Sequence, residues 1–182
     1  EILDSLPDGF TAVIKSTVIP GTTQKFHEKY SHLKIAHSPE FLVERRSLED
    51  FANQDLLVCG THHKEVADRV FQQHKEAGVI KTDNLFQVTP TEAELVKYTK
   101  NSFNAMKVIF ANQMYDICQH LGGDWNKIRE IITMPQTQTI GDSHLEPLHG
   151  LKRGFGGKCL PKDFMALGVL AEQLGCKYEI LD

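Results

Sequence analysis

The sequence predicts an α/β fold, a parallel sheet with helices between its strands, followed by an all-helical segment built on one long helix. Three observations carry this. Short β-branched runs alternate with helical periodicity through the first half of the chain. A capping signal near residue 91 opens an unbroken helical run, and Gly122-Gly123 ends it.

Thr11 to Ile19 (TAVIKSTVI) is apolar and β-branched, bounded by Gly9 and by Pro20-Gly21, and reads as a buried strand. A short helix is expected from Thr22 to Tyr30, and a second strand over Leu33 to Ala36. That strand runs into the loop His37-Ser38-Pro39-Glu40-Phe41-Leu42. Asp55 to Cys59 (DLLVC) reads as a third strand, stopped by Gly60. Helical periodicity resumes from His63 to Ala77, and Gly78 stops it.

The pattern then changes. Thr91-Glu92-Ala93-Glu94 reads as a capping box, with Thr91 as N-cap and Glu94 as its reciprocal partner. The helix it opens runs to Leu121, about 45 Å at 1.5 Å per residue. Leu95, Phe103, Met106, Ile109, Phe110, Met114 and Ile117 put apolar surface on more than one of its faces. Such a helix usually packs on another domain or a second chain. Two further helices are expected, roughly Trp125 to Thr133 and Pro161 to Leu174. The boundary between the two parts is expected near Phe86 to Pro90, giving domains of residues 1–88 and 89–182.

Composition narrows the class. The 182 residues are 41% hydrophobic and 24% charged, with a formal net charge of −4. No Lys/Arg run is long enough to track a phosphate backbone, which argues against nucleic acid. No apolar run approaches the roughly 20 residues of a membrane span, and the acidic first residues do not resemble a signal peptide. The four cysteines form no CxxC pair, so free thiols in a reducing cytoplasm are expected. Metal binding is not expected. His62-His63 is compatible with metal ligands or with a surface pair at a helix start.

Four clusters bear chemistry. In Gly154-Phe155-Gly156-Gly157-Lys158-Cys159-Leu160-Pro161-Lys162-Asp163, glycines let backbone approach a ligand closely, and Pro161 fits the first turn of a helix. Cys159 then stands at or beside a helix N-terminus near Lys158 and Lys162, a setting that favours a thiolate. A structural cysteine after a Gly-rich turn fits the same local pattern. Lys97 and Asn101 lie one turn apart on one helix face, where they would steady a developing oxyanion or simply face solvent. Glu40 and Glu44 follow a strand of the α/β part, where a carboxylate can serve as a general base or cap a helix. Ser16-Thr17-Val18 places hydroxyls at a strand end before a sharp turn.

Taken together, Ser16-Thr17-Val18, Pro39-Glu40-Phe41-Leu42, the Glu94-Leu95-x-Lys97-x3-Asn101 helix and GFGGKCLPKD resemble the UDP-glucose/GDP-mannose dehydrogenase family over nearly the whole chain. The resemblance implies the C-terminal half of a Rossmann-like sheet followed by a helical central dimerisation domain. It implies NAD as cofactor and a four-electron oxidation of a nucleotide sugar at C6, UDP-glucose to UDP-glucuronate. GDP-mannose and UDP-N-acetyl-hexosamine are the alternative substrates. Cys159 would capture the aldehyde as a thiohemiacetal that becomes a thioester. Lys97 and Asn101 would steady the C6 oxygen, with Asp163 ordering Lys97 and a water. Glu40 and Thr17 would manage the water that hydrolyses the thioester. Ser16, Thr17, Val18 and Glu44 would lie along the cofactor; Glu40, Phe41, Leu42, Lys97, Asn101, Gly154, Phe155 and Gly156 would meet the substrate.

The same resemblance implies a homodimer through the long helix. It also places a glycine-rich dinucleotide fingerprint before residue 1 and a nucleotide-sugar domain after residue 182. The competing reading is a dimerisation fragment with no turnover of its own. A simple hydroxyacid dehydrogenase would share the Lys and Asn but needs no thiol.

Overall fold

The computed structural model describes residues 2–42, 44–135 and 159–177, with residues 44, 159, 160, 163 and 167 as backbone alone. The chain divides into two compact units, residues 1–103 and 104–182.

The first unit is a four-stranded sheet in the order β1-β2-β3-β4, made of Thr11–Ile14, Lys34–His37, Leu57–Gly60 and Leu85–Val88. Helices α1 (Thr22–Lys29), α2 (Ser47–Ala52) and α3 (Lys64–Glu76) lie between the strands, and α4 (Pro90–His120) begins in this unit. Successive strand residues point to opposite faces. Ile35 therefore joins Tyr30, Leu33, Ile14 and Phe26 on the α1 side. Its neighbour Ala36 joins Leu57, Cys59, Val66, Ala67, Val70 and Ile80 on the α3 side. Helices cover both faces, as the α/β pattern requires. Burying side chains such as Leu33, Ile35 and Leu57 (1–2% exposed) contributes about 1.5–3 kcal/mol each.

The sheet departs from the expectation in three ways. It is mixed: β1 pairs β2 and β3 pairs β4 in parallel, but β2 meets β3 antiparallel at the single pair His37–Gly60. The first strand stops at Ile14 and is a half-buried edge strand with Val13 36% exposed, while Ile19, expected within it, lies beyond its end and is 73% exposed. Leu85–Val88 forms a fourth strand that the pattern did not announce. It is the opposite edge, and Phe86 is exposed there, so no clean apolar signal marks it.

The start of α4 corrects the capping assignment. Thr89, not Thr91, makes the box: its backbone N–H donates to Glu92 Oε2 at 2.7 Å, and Glu92 N–H donates back to Thr89 Oγ1 at 3.3 Å. Pro90 then takes the first helical position, where its missing N–H loses nothing. Glu94 turns inward instead, to the start of α1.

In the second unit the later part of α4 is followed by α5 (Trp125–Ile132) and α6 (Cys159–Gln173). Asp124 caps α5 by accepting from the Asn126 N–H at 2.9 Å. Ile117 and Ala171 form a small core with Met114, Phe164, Leu174 and Cys176. Much apolar surface stays open here: Met106, Val108, Ile109 and Phe110 on α4, Ile131 and Ile132 on α5, and Met165 and Val169 on α6 are 41–61% exposed. No helix among the described residues is long and apolar enough to cross a membrane.

Candidate active site

The site of the first unit is built at the ends of β1 and β2 and closed by α4. The parallel register sets Ile14 beside His37, and Ser38 N–H donates to the Ile14 carbonyl at 2.9 Å. Lys15, the next residue, thereby stands beside the turn at Ser38–Glu40. Its ammonium donates to the Ser38 hydroxyl at 3.4 Å and pairs with Glu40 Oε1 at 3.5 Å. From α4, Lys97 Nζ donates to the Glu40 backbone carbonyl. Glu40 is thus gripped twice, by its carboxylate and by its main chain. Phe41 follows, with Lys97 and Lys100 placed 5.8 Å and 4.7 Å from its ring centroid. Phe41 and Leu42 open onto a cleft of about 310 Å³, further lined by Arg46, Asp50, Gln54 and Lys100. Asn101, one turn beyond Lys97, is exposed.

Beneath this turn lies a buried polar knot. Glu94 is 0% exposed, and its carboxylate accepts from the backbone N–H groups of Gly21 (2.5 Å) and Thr23 (2.7 Å) at the start of α1. Gly21 holds φ +92, a left-handed conformation open to glycine, which lets the chain turn sharply between Pro20 and α1. The α1 N-terminus and the carboxylate are matched in charge. His37 is also 0% exposed, and neither ring nitrogen has a hydrogen-bond partner among the described residues. Burial pushes its pKa below the usual imidazole value; the Glu94 charge opposes this and the Lys15 charge adds to it.

Of the residues expected at the site, the structure brings together Glu40, Phe41, Leu42 and Lys97. Ser16 and Thr17 are exposed and Val18 half-buried on the segment that joins β1 to α1. Glu44 opens a 3-10 turn, Glu44–Arg46, with its side chain outside the described residues. In the second unit, Cys159 is the first residue of α6, Pro161 lies in its first turn and Asp163 follows one turn from the start. The side chains of Cys159 and Asp163, and all of Gly154, Phe155 and Gly156, lie outside the described residues.

Sequence reasoning missed Lys15 and His37. The signal for Lys15 was a lone charge inside an apolar strand run, directly before Ser16-Thr17. For His37 it was an imidazole at the strand end leading to Pro39-Glu40. Cys59 and Cys118 are buried as expected, and burial pushes the Cys59 thiol up to about 11. His62 pairs with Gln24 Oε1 at 2.7 Å, and the His63 ring lies 5.4 Å from that of His27. Among the described residues no group of three or more His, Cys, Asp or Glu is arranged to hold a metal.

Comparison with known proteins bears on the same residues. Residues 1–77 match the NAD binding domain of the UDP-glucose/GDP-mannose dehydrogenase family, and residues 91–182 match that family's central domain. A UDP-glucose 6-dehydrogenase of Rickettsia felis is 36% identical over 172 residues, covering 91% of this chain and 37% of the relative. A GDP-mannose 6-dehydrogenase of Pseudomonas aeruginosa is 30% identical over 181 residues, covering 94% of this chain and 40% of the relative. Among solved structures, a ternary complex of GDP-mannose dehydrogenase from Pseudomonas aeruginosa superposes with TM-score 0.80 at 28% identity, over 94% of this chain and 40% of that one. The UDP-glucose dehydrogenase of Pyrobaculum islandicum gives TM-score 0.60 at 35% identity, over 92% and 38%. The chain thus spans about two fifths of the length of the relatives it matches. With both domain models matched in order over residues 1–77 and 91–182, the chain belongs to the UDP-glucose/GDP-mannose dehydrogenase family.

Proposed function

We propose that the whole protein oxidises the C6 alcohol of a nucleotide sugar to the carboxylate, with UDP-glucose as substrate. The observation that carries this reading is the double hold on Glu40 beside the Phe41–Leu42 cleft, with Lys97 supplied by the long helix. The exposed hydroxyls of Ser16 and Thr17, set between a strand end and a helix start, fit a dinucleotide, and with Val18 and Glu44 they would hold NAD. Bound there, NAD supplies the acceptor for each of two hydrides.

The chain's own groups do the rest. Lys97 and Asn101 direct donors at the C6 oxygen and stabilise the negative charge that develops there. The Cys159 thiolate, at the helix start, adds to the aldehyde carbon to give a thiohemiacetal, and the second oxidation leaves a thioester. Asp163 orders Lys97 and a water, and Thr17 holds that water with Glu40. Water then adds to the thioester carbonyl, its proton passes to Glu40, the C–S bond breaks and the thiolate returns. The substrate is held by Phe41, Leu42 and the Gly154-Phe155-Gly156 loop. In this reading residues 1–88 belong to the cofactor-binding domain and also bring Glu40, Phe41 and Leu42 to the substrate, residues 89–182 form the central dimerisation domain, and the free thiols among the described residues suit a reducing cytoplasm.

The test is NADH formed per UDP-glucose consumed by the whole enzyme. A ratio near two is expected, and Cys159→Ser should abolish acid formation; a ratio of one, or unchanged turnover in Cys159→Ser, sinks the mechanism. GDP-mannose is the second reading, favoured by the 0.80 TM-score of the GDP-mannose dehydrogenase. It replaces the first if only GDP-mannose is turned over.

The open apolar surface of α4, α5 and α6 supports a homodimer, a second copy covering the face that this chain leaves exposed. Light scattering at micromolar concentration should return twice the monomer mass. A monomeric mass removes the dimer.

A further inference from the structure

We propose that Lys15 is a positioning residue for thioester hydrolysis, holding the Glu40 carboxylate where it takes a proton from the attacking water. This rests on the reading of Glu40 given above. The observation behind it is geometric. Register places Lys15 opposite the Ser38 turn, and its ammonium meets Glu40 Oε1 at 3.5 Å and Ser38 Oγ at 3.4 Å. Ser38 is 0% exposed, so that end of the grip is fixed in the protein interior. Lys15 and Glu40 side chains are each 34% exposed, open enough for a water to reach the carboxylate but not a freely solvated pair.

The two lysines do different work. Lys97 holds the main chain of Glu40, and in the proposed mechanism it also serves the C6 oxygen of the substrate. Lys15 holds the side chain of Glu40 and so keeps the carboxylate's rotamer whether or not Lys97 is engaged elsewhere. The step it serves is balanced without any further reagent. Water oxygen bonds to the thioester carbon, one water proton goes to Glu40, the C–S bond breaks, and the sulfur leaves with the bonding pair. Neither oxidation step needs Glu40. Loss of Lys15 should therefore slow acyl-enzyme hydrolysis and spare the two hydride transfers that precede it.

The experiment uses the whole enzyme with UDP-glucose and NAD, comparing wild type, Lys15→Met and Lys15→Arg by rapid mixing and at steady state. In Lys15→Met, kcat should fall about 10- to 100-fold, while both KM values stay within about twofold. A pre-steady-state burst of two NADH per active site should persist, followed by the slowed phase, and a sugar adduct on Cys159 should accumulate by mass spectrometry. Lys15→Arg should retain clearly more turnover than Lys15→Met, since a guanidinium keeps the positive charge and several donors for Glu40 and Ser38. Unchanged kcat in Lys15→Met overturns the proposal. So does a parallel loss of burst, turnover and thermal midpoint that Lys15→Arg does not relieve, which makes the lysine structural. A wild-type ratio of one NADH per sugar removes the parent reading of Glu40, and is told apart because it appears before any variant is made.

Discussion

Glu94→Ala is expected to lower the stability of the protein by about 3–5 kcal/mol, from two charge-assisted hydrogen bonds lost, with the Thr23 donor left buried and the Gly21 donor half-buried. The Gly21 and Thr23 N–H groups both point at this carboxylate, and Glu94 is fully buried. Water cannot replace the lost acceptor without opening the packing between α1 and α4. Against a total stability of about 5–15 kcal/mol, the variant should unfold at markedly lower urea. Glu94→Gln keeps an acceptor oxygen and should lose less. It should also become more sensitive to acid, for a reason that lies in His37. Burial holds the folded pKa of His37 below its unfolded value, so the fold favours the neutral ring. The stability this gives is present above about pH 6.5, the unfolded value, and is lost as pH falls through the folded one. The Glu94 charge raises the folded value. Removing that charge extends the loss to lower pH. Urea titrations at successive pH values below about 7.5 should show stability still falling in Glu94→Gln at a pH where wild type has levelled off; a loss that levels off at the same or a higher pH refutes the coupling.

Glu94 also shows where the sequence stops being readable. Thr89-Pro90-Thr91-Glu92-Ala93-Glu94 contains the S/T-x-x-E spacing twice, in frames two residues apart. Local pattern alone favoured the second frame. Pro90 settles the first, because it suits the opening position of the helix, and Glu94 is then free to cap a helix that begins 72 residues earlier, at Thr22. That contact is long-range, and no window around either end reveals it. The antiparallel pairing of β2 with β3 is hidden for a related reason: direction depends on the path of residues 38–56, which carries a loop, a 3-10 turn and the six-residue α2 rather than one strong helix. Elements with strong local signals were legible. The core strands, α3 and the 31-residue α4 all fall within a few residues of expectation. The motifs set Glu40 and Lys97 apart as residues expected to meet the substrate, but did not reveal that Lys97 would donate to the Glu40 carbonyl. Lys15 was not legible, because its role depends on parallel register across two strands.

Gly60→Ala tests how tightly that neighbourhood is tied to the sheet. A methyl built at Gly60 would meet the Ala93 Cβ at 2.5 Å, the Thr89 carbonyl oxygen at 2.8 Å and the Pro90 Cα at 3.0 Å. Two of these are backbone atoms and the third is a methyl with no rotamer to escape into. The first turn of α4 must therefore move away from the end of β3. Gly60 is also paired with Val88 on one side and His37 on the other, so the strand cannot retreat without breaking the ladder. Overpacking of this kind costs about 1–3 kcal/mol or more. The displacement should reach Lys97, two turns along the same helix, and loosen its hold on the Glu40 carbonyl. In the whole enzyme kcat should drop together with the thermal midpoint. Ala93→Gly should recover part of both losses in the Gly60→Ala background, because it removes the nearest clash, while costing about 1 kcal/mol of helix propensity in the wild type. A double-mutant cycle with no favourable coupling would mean that the strand end and the helix do not press on each other, and that the lysine's position is set from elsewhere on α4.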